Sequence, residues 1–370
     1  MAQILASFEP NDNYCIGENM PKICVYAISL NEEQFVEKFY ESCKDADLIL
    51  LADTGSTDNT IKLARKLGIK TYSITVSPWR FDTARNIALG LVPKDIDICI
   101  ALDLDEIMVP GWRDIVESNW RKSTTRLQYR FNNGMGNIFN ATKVHKRVGY
   151  QWHHLIHEMI EIDPRLKEEW AICDHILVEH HPDQTKSRGQ YLPMLEAAIK
   201  ENPYDSRDSW YLAREYWYYK QYDNAIKEFE RYLNLPTATW HHEHAFAYRH
   251  IGHCYLALGK GEPALKNYRL AIDEARYIRD TWLDLAQACY ELKQWQECYY
   301  AATQGLTITN REYVFTSGPA PWGYKLYDLA ALAAYNLGMR DMAIKYGELA
   351  INFEPNDQRL LNNLIYYQNL

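Results

Sequence analysis

The chain has 370 residues, 47% apolar and 24% charged, with 40 Lys and Arg against 49 Asp and Glu for a formal charge of -9. That composition excludes a disordered chain, and the absence of any apolar run of about 18 residues excludes a transmembrane helix. The acidic balance argues against a non-specific nucleic-acid binder, and the length sets a prior of two domains at ~150 residues each.

The start, MAQILASFEPNDNYC, carries acids and a Pro where a signal peptide has a basic end and an apolar core. The eight cysteines include Cys15 and form no C-x-x-C pair. Both features point to a reducing cytoplasm and to no zinc ribbon.

In chain order, Ile23 to Ile28 is an apolar run, and Asn31 to Lys44 then places Phe35, Val36, Phe39, Tyr40 and Cys43 on one helical face. Leu48 to Ala52 is a second run, followed by helix-like TIKLARKLG with Gly68 as its stop. Thr71 to Val76 alternates, Phe81 to Leu91 is helical, and Asp97 to Leu102 is nearly all apolar. Apolar runs alternating with helices predict a parallel sheet buried on both faces.

The second half reads as helices alone. Tyr248, Ile251, Gly252, Tyr255, Ala264, Tyr268 and Ala271 sit at offsets 4, 7, 8, 11, 20, 24 and 27 of a 34-residue tetratricopeptide frame. Leu212, Ala213, Tyr216, Ala225 and Phe229 fit one unit earlier. Trp282, Leu285, Ala286 and Cys298 fit a third unit, and Tyr327, Ala343, Ala350 and Pro355 a fourth. TNREYVFTSGPAPWG interrupts the frame. An irregular helical bundle is the alternative. The expected division is an α/β domain over 1–185 and a helical repeat domain over 186–370.

Ligands of open parallel sheets bind beyond the carboxyl ends of the strands. There the chain places Ser29, Asn31 and Glu32, then Asp53 to Asp58, then Asp103, Leu104, Asp105 and Glu106. If the chain is still extended at Asp103 and Asp105, both carboxylates point one way. Two such charges call for a cation, and hard oxygen ligands suit Mg²⁺ or Mn²⁺. An EF-hand frame from Asp103 fails because Met108 stands where Gly is required. Asp53-Thr54-Gly55 occurs once, where an aspartic protease needs two such carboxylates. A phosphatase of the haloacid-dehalogenase type uses D-x-D after the first strand, and here the pair follows the fourth.

KICVYAISLNEE, LLADTGSTDNT, FDTARNIAL and ALDLDE resemble, in order and spacing, the motifs of GT-A-fold glycosyltransferases of family 2. W-x-F-x-x-ARN with downstream repeats is similar to bacterial and phage members that carry tetratricopeptide arrays. The resemblance covers about residues 22 to 185, with the repeats following. It implies a Rossmann-like GT-A fold and a nucleotide-sugar donor, a UDP-sugar foremost. Ser29 and Glu32 would line the ribose end, Asp53 would hold the base, and Arg85 with Asn86 beside it would sit near base and diphosphate. Asp105, helped by Asp103, would hold Mn²⁺ or Mg²⁺ on the diphosphate. The usual V-D-D-G-S is here A-D-T-G-S, with Thr54 replacing an acid.

GYQWHHLIHEMIEID resembles the segment that carries the general base, which makes Glu158 the first choice ahead of Glu161 and Asp163. All twelve histidines lie between His145 and His253. His180 is the expected further metal ligand, with His181 close behind. The acid-free stretch 118–157 carries seven Lys and Arg and the glycines Gly134 and Gly136, which read as a mobile basic acceptor loop. It either balances nearby carboxylates or holds an anion.

The resulting expectation is a metal-dependent inverting glycosyltransferase. Its acceptor is a saccharide, a peptide or protein, or less readily a modified DNA base, and its repeats present the acceptor or form a homodimer. A non-catalytic repeat scaffold with a degenerate transferase domain and a metal-dependent phosphatase are the competing readings.

Overall fold

A computed structural model describes residues 20–183 and 188–369. The expected boundary at 185/186 and Cys15 lie outside the described residues. The first half is built from β1 (Ile23–Ser29), α1 (Glu33–Cys43), β2 (Leu48–Asp53), α2 (Thr60–Lys66), β3 (Lys70–Ser73), α3 (Phe81–Leu91) and β4 (Ile98–Ala101). It continues with β5 (Glu106–Met108), α4 (Trp112–Asn119), β6 (Arg126–Asn132), β7 (Ile138–Lys146), β8 (Tyr150–His153), β9 (Met159–Ile162) and β10 (Trp170–His180).

Eight strands form one sheet in the order β3-β2-β1-β4-β7-β6-β10-β5, and β8 and β9 pair separately. The central strands are apolar on both faces for a direct reason. Ile23, Val25 and Ala27 of β1, with Ile98 and Ile100 of β4, pack against Val36, Phe39, Trp112 and Val116 of the helices on one side. Their neighbours Cys24, Tyr26, Cys99 and Ala101 pack against Ala88 and Leu89 of α3 and Trp152 and Ile160 of the small sheet on the other. Alternate side chains thus enter two separate cores, as the pleat requires.

The parallel expectation holds throughout for the block β3, β2, β1 and β4. β7 runs antiparallel to β4, β6 antiparallel to β7, β10 parallel to β6, and β5 antiparallel to β10. Much of the acid-free stretch is therefore strand where a loop was expected. Its central part is the β6–β7 hairpin, and strands joined by so short a turn must run antiparallel. Gly134 (φ +71°) sits at the tip, where a Cβ would collide with the carbonyl of His180. Three of the basic residues of the hairpin are paired by acids from elsewhere: Arg126 with Glu168 at 3.0 Å, Arg130 with Asp174 at 2.8 Å and Lys143 with Glu106 at 2.8 Å.

The second half is helical: α5 (Tyr191–Glu201), α6 (Ser206–Tyr218), α7 (Tyr222–Leu233), α8 (His241–Ala257), α9 (Gly261–Ala275), α10 (Arg279–Glu291), α11 (Trp295–Thr307), α12 (Lys325–Asn336), α13 (Arg340–Ile351) and α14 (Gln358–Gln368). The four expected units are the pairs α6/α7, α8/α9, α10/α11 and α12/α13. Ala225, Phe229, Ile251, Ala264, Tyr268, Ala271, Cys298, Ala343 and Ala350 are all buried at the marks of the frame. Cys298 fills the small-residue place as a buried free thiol. The interruption holds a short 3₁₀ turn, Ala320–Trp322, and its Tyr313 carbonyl accepts from the Asn140 N–H of the sheet at 3.1 Å. No helix among the described residues is long and apolar enough to cross a membrane.

The approach of α8 to α9 depends on Gly252. A Cβ there would stand 2.7 Å from Cε1 of Tyr268, a ring that is itself fully buried. Gly252→Ala is expected to lower stability by about 1–2 kcal/mol, the overpacking cost exceeding the ~1 kcal/mol gained in helix propensity. The check is a lower urea midpoint at unchanged slope.

Candidate functional site

The three polar clusters meet at the carboxyl ends of β1, β2 and β4. Ser29 and Asp53 are register partners. Ser29 Oγ donates to Asp53 Oδ1 at 2.9 Å, and Ser56 Oγ donates to the same oxygen at 2.5 Å. The N–H groups of Gly55 and Ser56 donate to Oδ2 at 3.1 and 2.9 Å. Asp53, 3% exposed, thus accepts four hydrogen bonds, three from its own turn and one from β1. Thr54 has a local task too: its Oγ1 donates to the Ser29 carbonyl at 2.9 Å. Glu32 precedes α1, and its N–H donates to Thr60 Oγ1 at 2.7 Å, tying the first loop to the second.

Arg85 is the centre of the site. It projects from α3, is 4% exposed, and donates from Nη2 to Asp103 Oδ1 at 2.6 Å and from Nε to Glu158. Its guanidinium lies 5.1 Å from the Trp152 ring. Burial alone would make the cation easier to lose, but Asp103 and Glu158 reverse that and hold it more firmly protonated than usual. Asn86 grips the same segment through its amide, donating to the Trp152 carbonyl and accepting its N–H, both at 2.8 Å.

At Asp103 and Asp105 the chain is not extended. The Glu106 N–H donates to the Asp103 carbonyl at 3.0 Å, closing a turn. The two carboxylates therefore part company. Asp103 goes to Arg85, while Asp105 Oδ2 lies 3.3 Å from His180 Nε2. Desolvation pushes the Asp103 carboxyl up, but Arg85 and Lys143 outweigh it and hold it well below the usual range. Glu106, which caps the turn by accepting the Asp103 N–H at 3.1 Å, is pushed up by burial despite Lys143. Burial would lower His180, but the Asp105 carboxylate raises it. His181 is exposed, and its N–H donates to the Asp105 carbonyl at 2.7 Å.

Glu158 is carried by the turn between β8 and β9, which the helical half grips. Its oxygen Oε1 takes Arg85. Glu161 faces His153 at 3.9 Å and Asp163 pairs with exposed Arg165, so neither joins Arg85. His154 (φ +74°) places Nδ1 3.2 Å from Asp208 and 3.7 Å from Asp205. His157 (φ +52°) stacks on Tyr211 with ring centroids 3.9 Å apart, and its carbonyl accepts from Arg207 at 3.0 Å. Ile156 enters the core of the helical half with Leu195 and Trp210.

His154, Asp205 and Asp208 are the one trio among the described residues whose potential ligand atoms all lie within 4.8 Å; Asp103, Asp105 and His180 form no such group. The sequence allowed the basic stretch to balance nearby carboxylates, as Lys143 does on Glu106, but it gave no sign of the helical residues that touch the Glu158 segment. Lys143 stood inside the basic stretch, but contacts across the two halves carry no local signal.

No family model matches the chain, and no curated protein matches it. Several solved structures of helical proteins are similar. MamA is 18% identical, with 46% of this chain and 87% of that chain covered at a TM-score of 0.37. YrrB, described as a TPR protein with an unusual peptide-binding site, is 16% identical, with 47% and 82% covered at 0.39. PilF of Pseudomonas aeruginosa is 14% identical, with 48% and 70% covered at 0.36.

The grip on the Glu158 segment has a pH signature. Burial lowers the affinity of His154 for its proton, but the hydrogen bond and charge of Asp208, with Asp205, outweigh it and raise the pKa above the ordinary ~6.5. A histidine raised on folding contributes stability below its unfolded pKa and loses it as pH rises through the folded value. His154→Gln is therefore expected to cost more stability at pH 6 than at pH 9, read from urea midpoints of both proteins at both values. Equal losses would remove the charged latch.

Proposed function

We propose that this chain is a metal-dependent inverting glycosyltransferase that moves a sugar from a nucleotide-diphosphate donor, a UDP-sugar foremost, to an acceptor hydroxyl. One observation carries the reading: beyond the ends of parallel strands, Arg85 aims Glu158 beside Asp103, and Asp105 faces His180 next to them. An open sheet binds its ligands at that edge.

In this reading Ser29, Glu32 and Asp53 form the ribose and base end, Asp53 by fixing its turn while its oxygens stay engaged. Asp105 and His180 would hold the divalent cation through a carboxylate oxygen and an imidazole nitrogen that now pair with each other at 3.3 Å, and Asp103, engaged by Arg85, would have to turn to join them. When bound, Mn²⁺ or Mg²⁺ would offset negative charge on the departing diphosphate. Glu158 has Oε1 on Arg85, which leaves Oε2 to take the proton of the acceptor hydroxyl. The acceptor oxygen bonds to the anomeric carbon as the bond from that carbon to phosphate breaks, and the electron pair leaves with the nucleoside diphosphate. Arg85 holds Glu158 in place and supplies positive charge at the centre of the reaction.

The test is a thermal-shift panel of UDP, GDP, CDP, TDP and ADP, each with Mn²⁺, Mg²⁺ or EDTA. A nucleotide at about 100 times its Kd adds roughly 2.7 kcal/mol, a shift of several degrees. The expected result is one nucleotide that stabilises only with metal and fails in Asp105→Ala. With a donor in hand, Glu158→Gln is expected to lower kcat by 10²-fold or more with little change in the donor KM. No shift with any nucleotide would sink the donor site and favour a scaffold.

A further inference from the structure

Next to the Glu158 turn the helical half gathers three arginines, Arg188, Arg207 and Arg214, around His157. Arg207 donates to the His157 carbonyl from Nε at 3.1 Å and Nη2 at 3.0 Å. Arg214 Nη2 lies 3.4 Å from His157 Nε2, and its guanidinium stands 4.5 Å from the Tyr211 ring. Arg188 lies 4.6 Å from the ring of Tyr191, which meets His157 edge-on at 5.5 Å. Of the three guanidiniums only Arg188 has a carboxylate, buried Glu215 at 2.9 Å. Among the described residues no acid lies within ion-pair distance of Arg207 or Arg214. Arg214 Nε is buried without any hydrogen-bond partner. A half-buried cation normally finds a partner in the fold.

The position is as telling as the charge. His157 is the residue before Glu158, and Tyr191 lies within electrostatic reach of both Asp103 and Glu158. Toward solvent the cluster opens through Arg188, whose side chain is 49% exposed. An anion entering there would lie between bulk water and the carboxylate that removes the acceptor's proton. Glu215 is the one carboxylate in ion-pair contact with the three among the described residues, and Glu243 acts on Arg207 from farther off, so the cluster keeps an excess of positive charge. A phosphate monoester, at about -1.5 to -2, draws more on such an excess than a single carboxylate does. The forked guanidinium also suits phosphate oxygens.

We infer that Arg188, Arg207 and Arg214 form an anion site, supplied by the helical half, that holds a phosphate monoester on the acceptor beside Glu158. The acceptor role rests on the transferase reading above; the anion site itself does not.

The experiment uses the full chain in EDTA, so that no metal recruits phosphate to Asp105. Binding of inorganic phosphate, glucose 6-phosphate and acetate is measured by calorimetry for the wild type, Arg207→Gln, Arg214→Gln and Arg214→Lys. A second arm measures binding of the stabilising nucleotide with Mn²⁺. Arg214→Lys keeps the charge and serves if Arg214→Gln does not fold. The wild type is expected to bind both phosphates and not acetate. The Gln variants should lose tenfold or more and the Lys variant several-fold, all with unchanged nucleotide affinity. Weaker glucose 6-phosphate than inorganic phosphate binding would assign the site to free phosphate and overturn the acceptor role. Variants that bind phosphate like the wild type, or a wild type that binds acetate equally, overturn the site. Joint loss of phosphate and nucleotide would give the arginines to the donor diphosphate instead. Arginine-dependent phosphate binding with no nucleotide binding in the wild type removes the transferase reading and leaves the anion site standing.

Discussion

Burying one guanidinium organises this molecule's candidate site. Arg85 can occupy the interior only because two carboxylates meet it, and those two come from separate parts of the chain: Asp103 from the turn after β4 and Glu158 from the turn after β8. A buried ion loses several kcal/mol of hydration, and removing one partner of a buried pair costs about 3–5 kcal/mol. Asp103 keeps part of its side chain in water, so the Glu158 bond, with both side chains nearly buried, carries the larger share. The result is positional: α3, the end of β4 and the Glu158 turn cannot shift independently. Asn86, the next residue on α3, adds a two-way amide clamp on Trp152 and fixes the same turn from its start.

The helical half completes that constraint from the opposite side. His154 and His157 both have positive φ, a region that costs a non-glycine residue roughly 1–3 kcal/mol unless its surroundings compel it. Here they do. Asp205 and Asp208 at the start of α6 hold the first histidine, and Tyr211 and Arg207 of the same helix hold the second. The helix that grips the turn belongs to the first pair of the repeat array. The array is thus part of the site's architecture, and a sheet domain cut away from it would lose the contacts that shape the turn under Glu158.

The legible features were those governed by local periodicity. Runs such as Ile23–Ile28 and Leu48–Ala52 could only be strands buried on two faces, and the polar residues after them mark the sheet edge. The small and aromatic marks of the repeat frame found their helix pairs, down to Cys298 in a place that asks only for small volume. What stayed hidden depends on pairing over distance. The β6–β7 strands carry Arg126, Arg130 and Lys143, and a strand whose charges are matched from other elements reads as a basic loop when its partners are unknown. The Asp103–Asp105 divergence was equally invisible, because whether a D-x-D segment is extended or turned depends on Glu106 capping Asp103 from within the fold. Asp53 shows the converse: its acid looks free in sequence, yet neighbours within three residues take up its oxygens.

Charge in this protein is settled pair by pair, and the net value of -9 says little about any surface. In the sheet half, Arg126, Arg130 and Lys143 each meet an acid, and in the helical half Arg231, Arg269 and Arg359 do the same with Glu228, Glu297 and Asp328. Other arginines are held by carbonyls and rings: Arg279 donates to the Ile308 and Pro321 carbonyls and lies 4.1 Å from the Trp322 ring. Arg207 and Arg214 are held in the same manner, on the helix that shapes the Glu158 turn. Aromatic stacking offsets part of the cost of a half-buried cation, about 0.5–2 kcal/mol per contact, without neutralising it. Two arginines with no acid in ion-pair contact among the described residues, placed next to the turn that carries the central carboxylate, keep there an attraction for negative charge arriving from outside.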